Sequence, residues 1–158
     1  MNLIIKYIRT KDVEPLQILD KGDWIDLRLA EDVHLSEGEF ALLPLGVRVK
    51  LPDEFEAHIV PRSSTFKNYG IIQTNFMGII DSSYCGPNDE WKMPVYATKA
   101  VAIQKNTRRC QFRIMPSQKS SSRVKTLWNW SEGIELTEEE WLSGEELSRG
   151  GFGSTGEK

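Results

Sequence analysis

Short apolar segments that alternate with turn residues run along most of the chain. In residues 47–51, apolar and charged side chains alternate strictly, which predicts a half-buried β-strand. Segments of similar length, bounded by turn residues, predict further strands at residues 3–8, 22–28, 40–45, 57–60, 95–103 and 110–114. Many short strands with almost no helical periodicity predict an all-β sandwich or barrel-like fold.

Two segments favour short helices. Residues 63–68 lead to Gly70, a residue type that commonly terminates a helix. Thr137 and Glu140 have the spacing of a capping box and precede Trp141 and Leu142. This second helix lies in a polar, serine-containing region, which we expect to lie outside the sandwich. The expected units are a β-sandwich core at residues 1–116, an inserted arm at 117–148 and a glycine-rich motif at 149–158.

Residues 70–84 contain a dense group of candidate functional side chains. Two isoleucine pairs flank a polar centre and Gly78, a pattern that predicts two strands joined as a hairpin. Asp81 follows the second pair, Asn75 carries amide donors and an acceptor, and Tyr84 offers a flat ring. Such a hairpin could hold a nucleoside beside a proton acceptor. Taken singly, the same residues are equally well explained as a turn, a cap and a core ring.

Three other segments carry groups that suit an anion. Residues 61–64 place a guanidinium and two hydroxyls at an expected helix start, although a capped helix without a ligand would look the same. Arg108 and Gln111 could reach the same anion, or could simply form a solvated strand face. The glycine-rich tail could wrap a phosphate with its N–H groups while Phe152 covers a ring, or it could be a disordered end.

Composition narrows the class of protein. The chain has 158 residues, which suits one domain, and its net charge of −3 argues against general nucleic-acid binding. Cys85 and Cys110 form no CxxC pair, and two histidines are too few for a zinc site built from protein ligands alone. The apolar N-terminal segment is interrupted by charge, so it is neither a signal peptide nor a membrane span. We therefore expect a cytoplasmic protein with no membrane partner.

In their order along the chain, the candidate segments resemble the five motifs of the homotrimeric dUTPase family, especially the forms in Gram-positive bacteria and their phages. The matching positions are Asp26, residues 61–64, Asn75 with residues 78–84, residues 108–111 and residues 150–156. The resemblance spans residue 24 to the C-terminus. It implies a jelly-roll-like (β-clip) fold with a flexible C-terminal arm, a homotrimer with three shared sites, and hydrolysis of dUTP to dUMP and pyrophosphate.

The resemblance also implies roles for single residues. Asp81 would activate the water that attacks the α-phosphorus, and Tyr84 would pack on the deoxyribose. Uracil would be bound by Asn75 together with the backbone around Gly78 and Ile80. The phosphates would be held by Arg62, Ser63, Ser64 and Gln111. Asp26 would lie near Mg²⁺, contacting it through water, because the triphosphate itself would supply most of the metal's ligands.

The resemblance assigns the tail to closing over a neighbouring subunit's site. Its implied contacts are Arg149, Phe152, Gly153, Ser154 and Thr155. Arg149 directly precedes two glycines, a shorter spacing to Phe152 than many family members have, so its role as a γ-phosphate clamp stays open.

Two alternatives remain beside this interpretation. A dCTP deaminase shares the fold and the Arg-Ser-Ser signature, but residues 78–81 favour a dUTPase. Phage members of the family also engage repressor-type proteins, and residues 117–148 would be the expected contact surface for such a partner.

Overall fold

The computed structural model describes residues 2–17, 22–121, 123–124 and 129–143. The strands in these ranges are β1 (Asn2–Arg9), β2 (Ile25–Arg28), β3 (Val33–Leu35), β4 (Phe40–Pro44), β5 (Val47–Lys50), β6 (Phe55–Pro61), β7 (Ile71–Gln73), β8 (Gly78–Asp81), β9 (Lys92–Ala97), β10 (Val101–Ile103), β11 (Arg108–Pro116) and β12 (Asn129–Glu135). The helices are α1 (Thr65–Tyr69) and α2 (Glu138–Leu142).

The strands form four small sheets. Their orders are β12-β1-β5, β10-β3, β2-β11-β6-β8 and β4-β9-β7. Apart from the parallel pair of β1 and β12, the paired strands run antiparallel. The regular secondary structure of the described residues is therefore mostly strand, which confirms the expected all-β fold. None of the helices among the described residues is long and apolar enough to cross a membrane.

The core lies between these sheets and is built from alternate strand residues. In β6 the side chains of Phe55, Ala57 and Ile59 are buried, whereas those between them are half-buried. Trp91 is fully buried, and its ring meets the ring of Phe112 edge to face with 5.1 Å between centroids. Period-two burial fixes the register of β6, because a slip of one residue would turn its apolar side chains outward.

The predicted hairpin is wrong. Strands β7 and β8 exist at the expected positions, but β7 pairs with β9 while β8 pairs with β6. The two strands thus belong to different sheets. Hydrogen bonding to β9 continues past the end of β7, where Thr74 N donates to Pro94 O at 3.0 Å. Residues 74–77, called here the β7–β8 loop, carry the chain from one sheet to the other.

Burial of β5 also differs from the prediction of a half-buried strand. Arg48 is only 4% exposed, since its guanidinium donates to Glu138 Oε2 at 2.5 Å and to the carbonyl of Pro87. The predicted strand at residues 95–103 is likewise divided into β9 and β10 by residues 98–100. Strands β3 and β12 were not predicted.

The C-terminal part of the described chain is attached to the sheets. Strand β12 pairs with β1, and the capping box predicted for α2 is present, with Thr137 and Glu140 each bonding to the other's backbone. Trp141 is 2% exposed and packs with Ile8 and Cys85. Residues 129–142 therefore contact the fold through both a strand and a helix, which the sequence did not predict. The division into three units stays a prediction.

Candidate active site

The β7–β8 loop holds Asn75 through a buried glutamine. Gln73 is 3% exposed, and its Nε2 donates to Asn75 Oδ1 and to Ile59 O, both at 2.9 Å. A backbone turn closes the same loop, since Phe76 N donates to Gln73 O at 3.1 Å and Phe76 adopts a φ of 56°. Asn75 itself is exposed. The loop therefore presents a polar amide whose orientation is set from inside the protein.

Gly78 leaves room beside that amide. A Cβ at this position would lie 3.4 Å from Asn75 Nδ2 and 3.5 Å from Ile59 Cβ. Any side chain at position 78 that is larger than a methyl group would cover the Asn75 nitrogen and crowd β6. The glycine thus keeps an opening at the start of β8, and Ile80, two residues on, is half-buried against the core.

Asp81 ends β8 and lies opposite Glu56 of β6. Its Oδ1 accepts hydrogen bonds from the Ser83 backbone N–H, at 3.0 Å, and from the Ser83 hydroxyl. These two donors orient the carboxylate. A half-buried carboxylate with a fixed orientation is suited to accepting a proton from a bound water.

Tyr84 follows in a turn, where its N–H donates to Asp81 O at 3.1 Å. The ring packs partly against the core, and its hydroxyl lies 3.4 Å from Glu90 O. Burial, together with the charges of Asp89 and Glu90, raises the pKa of Tyr84 above its ordinary value, so the phenol stays neutral near pH 7. Tyr84 therefore offers a neutral ring beside Asp81.

A second group of functional side chains surrounds Asp26. Its Oδ1 lies 3.0 Å from Arg62 Nε, and its Oδ2 lies 3.0 Å from Arg108 NH1. Gln111 of β11 stands directly opposite Asp26 of β2. Two guanidiniums around one carboxylate leave a net positive charge, so this group suits an anion such as a phosphate.

The start of α1 adds hydroxyls to this group. Ser64 is the N-cap residue of α1, but its side chain makes no capping hydrogen bond, and the neighbouring Ser63 is exposed. The carbonyl of Arg109 fixes the turn, accepting from Arg62 N at 3.2 Å and from Thr65 Oγ1 at 2.6 Å. The backbone conformation of residues 62–64 is thereby held by β11.

Arg109 itself is 7% exposed and was not recognised from the sequence. Its guanidinium stacks on the Tyr69 ring at 3.7 Å and donates to the Tyr69 hydroxyl at 2.5 Å. Burial is the main reason that the pKa of Arg109 is lowered from its ordinary value, with Arg62 and Arg108 acting in the same direction. Arg109 supports the anion group through its carbonyl, which holds the turn at residues 62–65. The only sequence signal was an adjacent pair of arginines in a strand.

The structure gathers the predicted site residues into two groups, not one. Asp26, Gln111 and residues 62–64 form the anion group, whereas Asn75, Gly78, Ile80, Asp81 and Tyr84 form the loop group. Asp81 lies opposite Glu56 of β6. Glu56 precedes Arg62 by six residues, so the two groups are separated by about 20 Å along the strand. The tail positions Arg149, Phe152, Gly153, Ser154 and Thr155 lie outside the described residues.

Metal ligands are sparse in the described part of the chain. It contains no group of three or more histidine, cysteine, aspartate or glutamate side chains that could hold a metal ion. Asp26 is a single carboxylate already paired with two arginines. This donor set fits a magnesium ion that arrives with its phosphates and waters, and it does not fit a resident ion caged by protein ligands.

The all-β fold carries an arginine-rich anion group and, separately, a loop group with an amide, a carboxylate and an aromatic ring. These side chains are the types that a nucleotide phosphohydrolase needs. The family model described as dUTPase matches residues 24–156. The chain belongs to the dUTPase family and is an enzyme that hydrolyses dUTP.

Several curated relatives match nearly the whole chain. The SPbeta prophage-derived deoxyuridine 5'-triphosphate nucleotidohydrolase YosS of Bacillus subtilis (strain 168) is 46% identical over 158 residues, 100% of both chains. The deoxyuridine 5'-triphosphate nucleotidohydrolase of Thermoanaerobacter sp. (strain X514) is 34% identical over 164 residues, covering 99% of each chain.

Solved structures agree in fold. A Staphylococcus bacteriophage 80alpha dUTPase variant with dUpNHpp has a TM-score of 0.63 at 17% identity, covering 97% of this chain and 98% of that one. The dUTPase of Streptococcus mutans has a TM-score of 0.64 at 21% identity, covering 74% of this chain and 99% of that one. These matches confirm the jelly-roll-like all-β fold.

Proposed function

We propose that the chain converts dUTP to dUMP and pyrophosphate through a water that Asp81 activates for attack on the α-phosphorus. The observation that carries this proposal is the Asp81 carboxylate, oriented by Ser83 and set next to Tyr84. Asp81 takes the proton as the water oxygen bonds to phosphorus. The bond between the α-phosphorus and its bridging oxygen breaks, and pyrophosphate leaves with the bond's electron pair.

The anion group serves the phosphates in this proposal. Arg62 and Arg108 supply charge, while the Ser63 and Ser64 hydroxyls and the Gln111 amide supply short donors. Because Asp26 holds both arginines at 3.0 Å, their positions are fixed before a phosphate arrives. Preorganised positive charge stabilises the charge that develops on the departing pyrophosphate.

Magnesium belongs to the same proposal. Bound to the triphosphate, the ion would neutralise part of the phosphate charge and make the phosphorus a better electrophile. Asp26 is the residue that would contact it, through water. Among the structural neighbours, the dUTPase of phage phi11 of S. aureus coordinates a structural Mg(II) ion.

The order of the groups along β6 supports sites shared between subunits, as the expected homotrimer would have. Asp81 lies opposite Glu56, near the start of β6, and Gly78 lies opposite Ile59. Arg62 directly follows the end of β6, so Gly78 lies between Asp81 and Arg62 along the strand. Within one chain, the base would therefore lie between the catalytic carboxylate and the phosphate ligands. A nucleotide has the α-phosphate between base and terminal phosphates, so this order is wrong for one molecule of dUTP. We infer that Asp81 works with the anion group of another subunit.

Exposed apolar side chains on the loop group agree with such contact. Phe76 is 80% exposed and Ile79 is 60% exposed, while Met77 between them is 40% exposed. Contiguous exposed apolar surface usually marks an interaction site. A neighbouring copy docked against the loop would cover these side chains and bring its own arginines to the phosphates.

Subunit complementation tests the catalytic carboxylate, the anion group and the shared site together. Asp81→Asn and Arg62→Ala are each expected to lose about 10²–10⁴-fold in turnover, as removal of a catalytic group typically does. When the two inactive variants are unfolded, mixed in equal amounts and refolded, about a quarter of the sites should combine an intact Asp81 with an intact Arg62 from another chain. Pyrophosphate release should return to about that fraction.

The control is Asp53→Asn, which changes an exposed aspartate in a turn and should keep full activity. A mixture that stays as inactive as its parents would refute the shared site, and near-normal turnover by Asp81→Asn would remove Asp81 from catalysis. Pyrophosphate release that is much faster from dUTP than from dTTP, dCTP or UTP, with no ammonia from dCTP, would separate this function from a deaminase.

The deaminase alternative is not favoured, because the family model and the curated relatives are dUTPases. A repressor-type protein partner and a cytoplasmic location stay predictions from the sequence. Among the neighbours, the bacteriophage 80alpha dUTPase controls transfer of virulence genes by a proto-oncogenic G protein-like mechanism. A pull-down that compares the full chain with a variant substituted at exposed positions of residues 117–148, such as Lys119 and Glu139, would test a protein partner without removing β12 or α2.

A further inference from the structure

Gln73 is a buried polar side chain that no catalytic step uses. Its Nε2 donates to Ile59 O and Asn75 Oδ1, both at 2.9 Å, and lies 3.4 Å from Phe76 O. Its Oε1 is buried and has no hydrogen-bond partner among the described residues. Burying an amide oxygen without a hydrogen bond costs free energy. The hydrogen bonds of the amide nitrogen must therefore contribute to the fold or to the function.

These contacts fix the orientation of both amides. Ile59 O is a backbone carbonyl and can only accept, so the Gln73 atom facing it must be the nitrogen. That nitrogen can only donate, so the Asn75 atom facing it must be the oxygen. Turning the Asn75 amide over would bring two NH₂ groups together. The Asn75 nitrogen is therefore directed away from Gln73.

The Asn75 nitrogen lies beside the opening at Gly78, 3.4 Å from where a Cβ would be. With its oxygen occupied by Gln73, the exposed end of Asn75 presents hydrogen-bond donors. Uracil carries a carbonyl oxygen at C4, an acceptor, whereas cytosine carries an amino group there, a donor. A donor at the loop pairs with uracil and opposes cytosine.

We propose that Gln73 is a specificity-determining positioning residue that makes the site choose uracil over cytosine by locking the Asn75 amide with its nitrogen toward the base. This inference rests on the proposed function and on the expectation from the family resemblance that Asn75 contacts the base. Gln73 touches no substrate atom and acts through Asn75. A buried polar group left facing the wrong partner is an effective way to reject a competing substrate.

Two substitutions at Gln73 test whether it fixes the orientation of the Asn75 amide. Gln73→Met keeps the side-chain length and removes the donor, so the Asn75 amide can turn over. In Gln73→Glu, an oxygen replaces the nitrogen that faces both Ile59 O and Asn75. When the carboxyl is protonated, that oxygen must give its hydrogen to the fixed Ile59 O, so toward Asn75 it can only accept. An ionised carboxylate accepts only. In both protonation states the Asn75 oxygen turns toward the base.

The measurement is kcat/KM for dUTP and for dCTP, with pyrophosphate release as the readout. Gln73→Met should lower the ratio of dUTP to dCTP about tenfold, the size of one hydrogen bond's net contribution. Gln73→Glu should lower it further, and kcat/KM for dCTP should rise above the wild-type value. A merely structural defect would lower kcat/KM for both substrates by the same factor. Gln104→Glu, which makes the same change at an exposed position, should leave the ratio unaltered.

Asn75→Ala separates this inference from the proposed function. Unchanged KM for dUTP in that variant would mean that Asn75 does not contact the base, and the proposed base site would fail. Raised KM in Asn75→Ala with an unchanged dUTP to dCTP ratio in both Gln73 variants would overturn the Gln73 inference alone. Asn75→Asp, an exposed change that is expected to fold, removes the donor directly and should lower the ratio even if the Gln73 variants fold poorly.

Discussion

Trp141 connects the C-terminal helix to the rest of the protein, and its replacement by alanine should destabilise the whole fold. The indole is 2% exposed and packs with Ile8 and Cys85. Arg48 and Lys50 lie over its ring, 5.0 Å and 4.9 Å from the centroid. Lys50 also donates to the Trp141 carbonyl at 3.2 Å.

The magnitude follows from these contacts. Truncating a buried tryptophan to alanine costs about 3–5 kcal/mol through lost transfer energy and the cavity left behind. The cation–π contacts are part of that loss, with about 2 kcal/mol expected for the buried Arg48 and less for the partly exposed Lys50. At about 2–4 °C per kcal/mol for a chain of this size, Tm should fall by roughly 6–20 °C.

The assay is reversible denaturation in urea together with a thermal scan, comparing Trp141→Ala with Leu142→Ala. Leu142 is the next residue of the same helix and is 51% exposed, so its truncation should cost less than about 1 kcal/mol. Trp141→Phe keeps a ring for both cations and should fall between the two. Equal losses in Trp141→Ala and Leu142→Ala would show that α2 detaches without disturbing the sheets, and the reasoning would be refuted.

Two further predictions concern the helix end and the anion group. Gly70→Ala should cost about 1–2 kcal/mol in urea denaturation because residue 70 has a φ of 64° and a Cβ would lie 2.9 Å from Lys99 Cε and 3.0 Å from Thr98 Oγ1; an unchanged midpoint would contradict this. Asp26→Asn removes the charge that balances Arg62 and Arg108, so pyrophosphate measured without magnesium should inhibit severalfold more tightly, corresponding to about 1 kcal/mol. Weaker or equal inhibition would show that these arginines do not meet phosphate.

Local patterns in the sequence were sufficient to predict elements whose causes are local. The capping box at Thr137 and Glu140 forms as expected, and Gly70 ends α1 in a left-handed conformation. Alternating burial in β6 follows its apolar period. In each case the determining contacts lie within a few residues of one another.

Features set by distant contacts were missed. Arg48 looked like a solvent-facing strand residue, yet Glu138 and Trp141, about ninety positions later in the chain, cover it. The apolar pairs around Gly78 looked like one hairpin because periodicity shows which face is buried but not which strand is the partner. Gln73 was overlooked for the same reason, since its main acceptor, Ile59 O, lies in another strand.

The divided arrangement of the site explains why the motifs can be scattered along the chain. Strand β6 ends at Pro61, so the chain turns directly into the anion group, while β8 returns alongside it and places Asp81 at the opposite end. One rigid strand thus sets the spacing of both groups, about 20 Å along its length. In the proposed shared site, each nucleotide meets the loop group of one subunit and the anion group of another, so the contact between subunits would set the alignment of the water with the phosphates. Weakening that contact should then lower the stability of the assembly and the rate of hydrolysis together.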